Sequence, residues 1–173
     1  EIAEIAKKFG AKVPFMRSTE NSNDFATTFD VIKEVIQVYK SQDKEFENLC
    51  CLYSCAPLIT NELLLKSYDL LISGKFDSVF PIIAYGFPIQ RALRIDQRRV
   101  SMMLEENLNV RSQDLEDSFH DAGQFYWCNI KQLLFSKKIL TQNTGGVKIS
   151  ELEAQDIDTE IDWKMAELKY QLK

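Results

Sequence analysis

Residues 49–53, Leu-Cys-Cys-Leu-Tyr, form a continuous apolar run that ends shortly before Pro57. A short run of this kind predicts a strand covered on both faces, as in a parallel sheet. Residues 25–39 repeat apolar side chains every three or four positions, which predicts an amphipathic helix before the strand. Residues 61–74 predict a helix after it, which Thr60 or Asn61 can cap and which ends near Gly74.

Strand and helix patterns also alternate toward both termini. Residues 79–85 predict another strand, and Gly86-Phe87-Pro88 predicts a bend before a further strand over residues 89–95. The turn residues Gln97-Arg98-Arg99 predict a hairpin that leaves the main sheet. The remaining predicted elements are a helix over 2–9, a strand over 11–15, a strand over 123–127, a helix from 130, a strand over 147–149, and a last helix that Thr159 opens with Asp162 in a near capping box.

This order of elements predicts an α/β fold with three layers. We expect a Rossmann-like, mainly parallel sheet flanked by helices, with a small protruding β-hairpin over about residues 93–104. The length of 173 residues fits a single domain over residues 1–173. Ligands of such sheets gather at the carboxyl ends of the strands.

Composition and charge exclude several classes of protein. The formal net charge of −5 argues against broad nucleic-acid binding, which needs a basic face. No run approaches 18 consecutive apolar residues, and the sequence does not begin with a signal-like segment, so we expect a soluble, cytoplasmic protein without membrane contact. An anionic substrate would need local positive charge, which the middle of the chain concentrates at Arg91, Arg94, Arg98, Arg99 and Arg111.

The four cysteines have no spacing typical of a zinc site. Cys50, Cys51 and Cys55 lie in or beside one apolar run, and Cys128 stands apart from them. We interpret them as small buried hydrophobic residues in a reducing compartment and assign them no chemistry.

Residues 111–127, Arg-Ser-Gln-Asp-Leu-Glu-Asp-Ser-Phe-His-Asp-Ala-Gly-Gln-Phe-Tyr-Trp, are at once too polar and too aromatic for a core strand. They predict a binding loop that runs into a strand. Taken alone, the same residues also fit a solvated turn with a surface salt bridge.

This segment resembles the sugar-binding region of the pseudaminic acid cytidylyltransferases, whose pattern is Arg-Ser-Gln-Asp-Leu, a spacer and His-Asp-Ala-Gly-Gln-Phe-Tyr-Trp. Residues 86–93 also resemble that branch. The sialic acid relatives have a run nearer Arg-x-Gln-Asp-Leu-Pro and Asn-Gly, so residues 120–124 separate the two. The resemblance implies a nucleotidyltransferase fold and a sugar site formed by Arg91, Arg111, Gln113, Asp114, His120, Asp121, Gln124 and Tyr126.

The chemistry of these side chains suits a 2-keto nonulosonic acid. Arg91 or Arg111 can hold its carboxylate in bidentate fashion, and Gln113 and Gln124 can both donate to and accept from hydroxyl and amide groups. His120 is the only histidine, and we favour contact with the sugar over a role as general base.

Residues 155–159, Gln-Asp-Ile-Asp-Thr, resemble the Asp-x-Asp element of the same family. Carboxylates at i and i+2 of an extended chain point the same way, so Asp156 and Asp158 can face one Mg²⁺ ion and are the predicted metal-binding and catalytic residues. The alternative is that Asp158 only caps the last helix or adds charge at its start.

Two further segments resemble the family less closely. Residues 53–58 resemble the loop after the central strand, with Cys55 in place of the more usual Thr. Residues 17–24 resemble the nucleotide loop, which implies that Arg17 and Ser22 contact the nucleotide or its phosphates. Family members begin with a strand and a Lys/Arg-rich Gly/Ser loop around the CTP phosphates. The present sequence has no such unit, so we expect it to be a piece of a longer protein.

The resemblance implies transfer of CMP from CTP to the anomeric hydroxyl of pseudaminic acid, with release of pyrophosphate. The product would serve the glycosylation of flagellin or another surface structure. A homodimer built on the hairpin, within an insertion over about residues 93–115, is also implied. The alternatives are the same reaction with sialic or legionaminic acid, and a non-catalytic sugar-binding or assembly protein without the CTP loop.

Overall fold

The computed structural model describes residues 1–172. Its helices are α1 (Ile2–Lys8), α2 (Thr28–Lys40), α3 (Asn61–Gly74), α4 (Ile130–Ser136) and α5 (Glu160–Gln171). Its strands are β1 (Asn48–Leu52), β2 (Ser78–Ala84), β3 (Leu93–Asp96), β4 (Arg99–Met102), β5 (Phe119–Asp121), β6 (Phe125–Asn129) and β7 (Thr144–Lys148). Short 3₁₀ turns lie at Ile89–Arg91, Glu105–Asn107, Ser112–Asp114 and Glu151–Glu153.

The main sheet is built around β2. Strand β7 pairs with one edge of β2 in parallel, from Ser78 opposite Thr144 to Ile82 opposite Lys148. The other edge pairs with β6 and then with β5, both antiparallel, and β1 pairs antiparallel with the far side of β6. The predicted α/β class is therefore confirmed, but the sheet is mixed instead of mainly parallel. The reason is that β6 returns between β1 and β2 and runs antiparallel to both, while β5 runs antiparallel to β2.

Helices lie on both faces of this sheet, as the three-layer prediction requires. One face packs Phe80, Tyr126 and Cys128 against Ile32 of α2 and Leu133 of α4. The other face packs Val79, Phe125 and Val147 against Leu63 and Leu71 of α3. Each fully buried side chain of this kind stabilises the fold by about 1.5–3 kcal/mol.

Side-chain caps define where several helices begin. Thr159 accepts from the Asp162 amide, and the Asp162 side chain accepts from the Thr159 amide, so the predicted capping box of α5 is confirmed. Thr60, one of the two predicted caps of α3, accepts from Leu63, and α3 ends before Lys75 in the left-handed conformation.

The structure corrects two of the predicted strands. Residues 11–15 form no strand, and residues 89–91 form a 3₁₀ turn, so only Leu93–Asp96 of the predicted 89–95 strand pairs. The predicted hairpin is present as β3 and β4. Gln97 and Arg98 form its two-residue turn, with φ of +43° and +68°, and such turns match the right-handed twist of the paired strands.

The strand directions decide where polar residues collect. Leu52, Ala84 and Lys148 end β1, β2 and β7 at the same edge of the sheet. Residues 121–124 lie close to that edge, because Asp121 pairs with Ile82 near the end of β2 and Phe125 pairs with Leu52 at the end of β1. No helix among residues 1–172 has both the length and the apolar content needed to cross a membrane.

Candidate functional site

Asp121 is held by two hydrogen bonds at the carboxyl edge of the sheet. The Tyr126 hydroxyl donates to Oδ2 of Asp121 at 2.7 Å, and the Gly123 amide donates to Oδ1 at 2.8 Å. Tyr126 is only 8% exposed. Burial, followed by the hydrogen bond to Asp121, raises the pKa of Tyr126 well above its ordinary value, so its hydroxyl keeps its proton and donates at neutral pH.

Tyr53 connects Tyr126 and Asp121 to α2. Its hydroxyl lies 3.1 Å from Oγ1 of Thr28, and its ring centroid lies 5.2 Å from that of Tyr126. The sequence analysis did not assign Tyr53 to the site, although its position one residue after β1, at a carboxyl strand end, was a usable signal.

Asp156 lies against the same loop. A Cβ atom added to Gly123 would be 3.5 Å from Oδ2 of Asp156, and Gly123 has φ of +66°. This left-handed conformation is easily reached by glycine and strained for other residues. The fold therefore brings the Asp-x-Asp segment next to the predicted sugar motif.

The carboxylates of Asp156 and Asp158 are both available to a cation. Both residues are exposed, and no hydrogen bond or ion pair within residues 1–172 uses either carboxylate. Nor do the described residues gather three or more His, Cys, Asp or Glu side chains in a geometry that could hold a metal. Mg²⁺ is often bound through one or two carboxylates plus waters and substrate phosphates, so this pair of oxygen ligands fits it.

The alternative role for Asp158, capping α5, is taken by its neighbour. Thr159 is the N-cap, and Asp158 contributes only its backbone amide, which donates to Oδ2 of Asp162 at 3.3 Å. The hydrogen bonds from Thr159 lower the pKa of Asp162, which therefore stays ionised and keeps this acceptor in place.

Gln124 is completely buried, with 0% of its surface exposed. Its Nε2 donates to the Glu153 carbonyl at 2.8 Å, so the side chain points into the protein toward the segment before Asp156. Direct contact between Gln124 and a sugar would require this side chain to move.

The remaining predicted sugar residues are exposed. Arg111 donates to both oxygens of Asp114, at 2.7 and 3.0 Å, which is the bidentate geometry with which it could hold a carboxylate. Gln113 lies beside them in the Ser112–Asp114 turn. Nη1 of Arg91 donates to the Val110 carbonyl at 3.1 Å.

His120 also stays at the surface. Its Nδ1 lies 2.8 Å from the Asp121 carbonyl, and its ring centroid lies 5.0 Å from that of Tyr85. Within residues 1–172, no hydrogen bond joins the Arg111–Asp114 pair to Asp121 or Asp156.

The predicted nucleotide loop is organised by Glu34 of α2. Its carboxylate accepts from the amide and hydroxyl of Ser18, at 2.7 and 3.0 Å, and from the side-chain amide of Asn21. These hydrogen bonds lower the pKa of Glu34, and the bond from Asn21 has the largest effect. The nearby positive charge of Arg17 lowers the pKa further. The Ser22 hydroxyl donates to the Ser18 carbonyl at 2.7 Å, so Arg17 and Ser22 lie on one ordered loop.

The chain is similar in sequence to several known proteins. No family model matches the chain. A pseudaminic acid cytidylyltransferase of Campylobacter jejuni serotype O:2 is 34% identical over 99% of this chain and 75% of its own length. The post-translational flagellin modification protein B of Campylobacter coli is 25% identical over 96% of this chain and 72% of its own length. A CMP-N,N'-diacetyllegionaminic acid synthase of Legionella pneumophila is 23% identical over 96% of this chain and 72% of its own length.

Proposed function

The chain belongs to the family of pseudaminic acid cytidylyltransferases, and from this premise we propose how its residues serve the transfer of CMP from CTP to pseudaminic acid. The enzyme is a CTP-dependent nucleotidyltransferase. The oxygen of the anomeric hydroxyl bonds to the α-phosphorus of CTP and gives up its proton to water, the bond from that phosphorus to the bridging oxygen breaks, and pyrophosphate leaves. The observation that carries the assignment of roles is the proximity of Asp156 to Gly123, since it brings together the two motifs assigned to this reaction.

The sugar is assigned to the surface around Asp121. Its carboxylate would bind Arg111, which can exchange its exposed partner Asp114 for another carboxylate at small cost, because surface ion pairs contribute only about 0–1 kcal/mol. Asp121, fixed by Tyr126 and Gly123, is an acceptor for sugar hydroxyl or amide groups. Gln113, His120 and Arg91 are exposed and are assigned as further contacts of the sugar.

Asp156 and Asp158 would hold a Mg²⁺ ion, which when bound neutralises charge on the triphosphate and on the departing pyrophosphate. The protein contributes by positioning the triphosphate relative to the sugar. The backbone of residues 156–158 lies between the Gly123 loop and the start of α5, so a triphosphate bound there would have its α-phosphorus close to the sugar.

The nucleotide is assigned to the loop that carries Arg17 and Ser22. Glu34 fixes this loop at the side of α2, while the first turn of α2 reaches the sugar motif through Thr28 and Tyr53. Arg17 supplies a positive charge for a phosphate.

The hairpin of β3 and β4 is proposed as a dimer contact. Its apolar side chains are exposed, including Ile95 at 73% and Leu93 at 61%, and Met103 extends this surface. A second copy of the chain would bury them by a symmetric contact. We place the protein in the cytoplasm, because all four cysteines are free, as expected in a reducing compartment.

Legionaminic acid is the nearest alternative substrate. The identity of 34% to a pseudaminic acid enzyme exceeds the 23% and 27% to two legionaminic acid synthases, and the His120-Asp-Ala-Gly-Gln run is that of the pseudaminic branch, so we favour pseudaminic acid.

The test is pyrophosphate release by the intact protein with CTP and Mg²⁺, run in parallel with pseudaminic, legionaminic and N-acetylneuraminic acids. Release with pseudaminic acid, and its loss in the Asp156→Asn variant, is the expected result. Preference for another sugar would reassign the substrate. No pyrophosphate release with any of the three sugars would favour a protein that binds the sugar without catalysis.

A further inference from the structure

Two buried side chains donate hydrogen bonds to consecutive backbone carbonyl groups just before Asp156. Nε2 of Gln124 donates to the Glu153 carbonyl at 2.8 Å, and Nζ of Lys169 donates to the Ala154 carbonyl at 2.8 Å. Gln124 is 0% exposed and Lys169 is 8% exposed. These contacts come from two separate elements, since Gln124 belongs to the sugar motif and Lys169 to α5.

Lys169 is unusual because lysine is seldom this buried without a carboxylate partner. No salt bridge among residues 1–172 includes it, and the Ala154 carbonyl is its hydrogen-bond partner. Burying an ammonium group is costly, whereas a hydrogen bond from a charged donor is about twice as strong as a neutral one. The group is thus placed to fix this carbonyl firmly.

Gln124 lies between β5 and β6, at the point where the register of pairing with β2 changes from one strand to the next. Its backbone carbonyl accepts from the Tyr53 amide at 2.9 Å, so the residue connects the end of β1 to the segment before Asp156. Oε1 of Gln124 is buried and has no hydrogen-bond partner among residues 1–172. An unsatisfied buried acceptor destabilises the folded protein. Stability alone therefore does not explain why the Gln124 side-chain amide is buried in this orientation.

The other end of the Asp-x-Asp segment is fixed as well. Asp162 accepts from the amides of Asp158 and Thr159, at 3.3 and 2.8 Å. The backbone of residues 156–158 therefore spans two anchors, one made by Gln124 and Lys169 and the other by Asp162.

We propose that Lys169 and Gln124 are positioning residues, which hold the carboxylates of Asp156 and Asp158 in place for a divalent cation and fix this segment to the sugar motif. The inference rests on the proposed metal role of these two aspartates. Partners that orient metal ligands commonly change metal affinity by about 10- to 100-fold when they are removed.

The experiment measures Mn²⁺ binding to the intact protein in the presence of CTP, by the electron paramagnetic resonance signal of free Mn²⁺. Lys169→Met, which keeps the apolar stem and removes the donor, is expected to weaken Mn²⁺ binding about tenfold. Lys169→Arg, which keeps a charged donor, should recover part of the loss. Lys164→Met, at an exposed position of the same helix, is the matched control and should bind as the wild type does.

Hydrogen exchange without metal gives a second readout. Lys169→Met should speed exchange at the amides of residues 156–159 while leaving those of β2 unchanged, which separates a local effect from general destabilisation. If Lys169→Met does not fold, Gln124→Met, which removes the other donor at similar volume, should show the same two changes.

Asp156→Asn separates this inference from the proposed function. If Asp156→Asn weakens Mn²⁺ binding and a folded Lys169→Met variant does not, the positioning role is overturned and the metal site stands. If Asp156→Asn binds Mn²⁺ as the wild type does, the metal assignment itself is wrong.

Discussion

The Tyr126 hydroxyl donates a 2.7 Å hydrogen bond to Oδ2 of Asp121 from a position that is almost fully buried. Tyr126 also packs on Phe80, with ring centroids 5.4 Å apart, so the core of the sheet fixes its ring. The carboxylate of Asp121 is thereby attached to the most rigid part of the fold, although Asp121 itself is exposed. A ligand group that binds Asp121 meets an acceptor already in position.

Replacing Tyr126 by Phe should destabilise the protein and weaken sugar binding. A hydrogen bond to a charged group contributes about 1.5–3 kcal/mol, so the free energy of unfolding in urea should fall by about 1–3 kcal/mol. The KM for the sugar should rise, with the KM for CTP unchanged. Tyr85→Phe is the control, because Tyr85 is exposed and packs on His120 by its ring alone. Equal urea midpoints for Tyr126→Phe and the wild type would contradict this account.

The raised pKa of Tyr126 predicts a dependence of stability on alkaline pH. Its pKa is raised in the folded protein, first by burial and then by Asp121, so the protonated form favours folding. This contribution is fully present below the ordinary tyrosine pKa of about 10 and is lost as the pH rises above it. The free energy of unfolding should therefore fall more steeply above pH 10 in the wild type than in Tyr126→Phe. Parallel curves would show that another group titrates.

Arg111→Lys tests the assignment of the sugar carboxylate. The planar guanidinium binds both oxygens of Asp114, and an ammonium group cannot reproduce this bidentate geometry. The KM for the sugar should rise roughly tenfold, with little change for CTP. Arg94→Lys is the control, since Arg94 lies on the hairpin and donates to Ser101. An unchanged KM in Arg111→Lys would move the carboxylate to another residue, with Arg91 the first to examine.

The sequence allowed the α/β class and most of the helices and strands to be predicted, but not the direction of the strands. The apolar run at residues 49–53 has the same pattern whether the neighbouring strand is parallel or antiparallel, so the position of β6 between β1 and β2 had no local signal. The direction is set by pairing between distant segments.

The candidate site shows the same limit. The motifs named Asp121 and Asp156, but the position of Asp156 beside the left-handed Gly123, whose amide binds Asp121, is not revealed by pattern alone. Gln124 was assigned from its motif to the sugar, whereas the structure buries it, because alternation of side chains fails where the register shifts between β5 and β6. Tyr53 and Lys169 lie outside the quoted sugar motif and carry no residue-type signal of their own.

Thiol reactivity should distinguish one cysteine from the other three. Burial raises the pKa of Cys51, and it raises the pKa of Cys50 and of Cys128 to about 12, so these thiols stay protonated and unreactive near neutral pH. Cys55 is exposed. At pH 8, Ellman's reagent should therefore modify one thiol quickly in the folded protein and none in Cys55→Ser. Rapid modification of a second thiol would contradict the assignment of the others as inert core residues.

Gly123→Ala should destabilise the folded protein because it strains the backbone, and not because the added methyl group is crowded. The added methyl group would lie 3.5 Å from Asp156, an ordinary contact distance, but φ of +66° is strained for alanine. The left-handed conformation costs about 1–2 kcal/mol, and the urea midpoint should fall accordingly. Gly86→Ala is the matched control, since an added methyl group there meets no atom within 4 Å and no positive φ opposes it. If both variants lose the same stability, strain at Gly123 is not what holds the loop beside Asp156. If Gly123→Ala keeps its stability but loses Mg²⁺-dependent activity, crowding of the Asp156 carboxylate is the stronger effect.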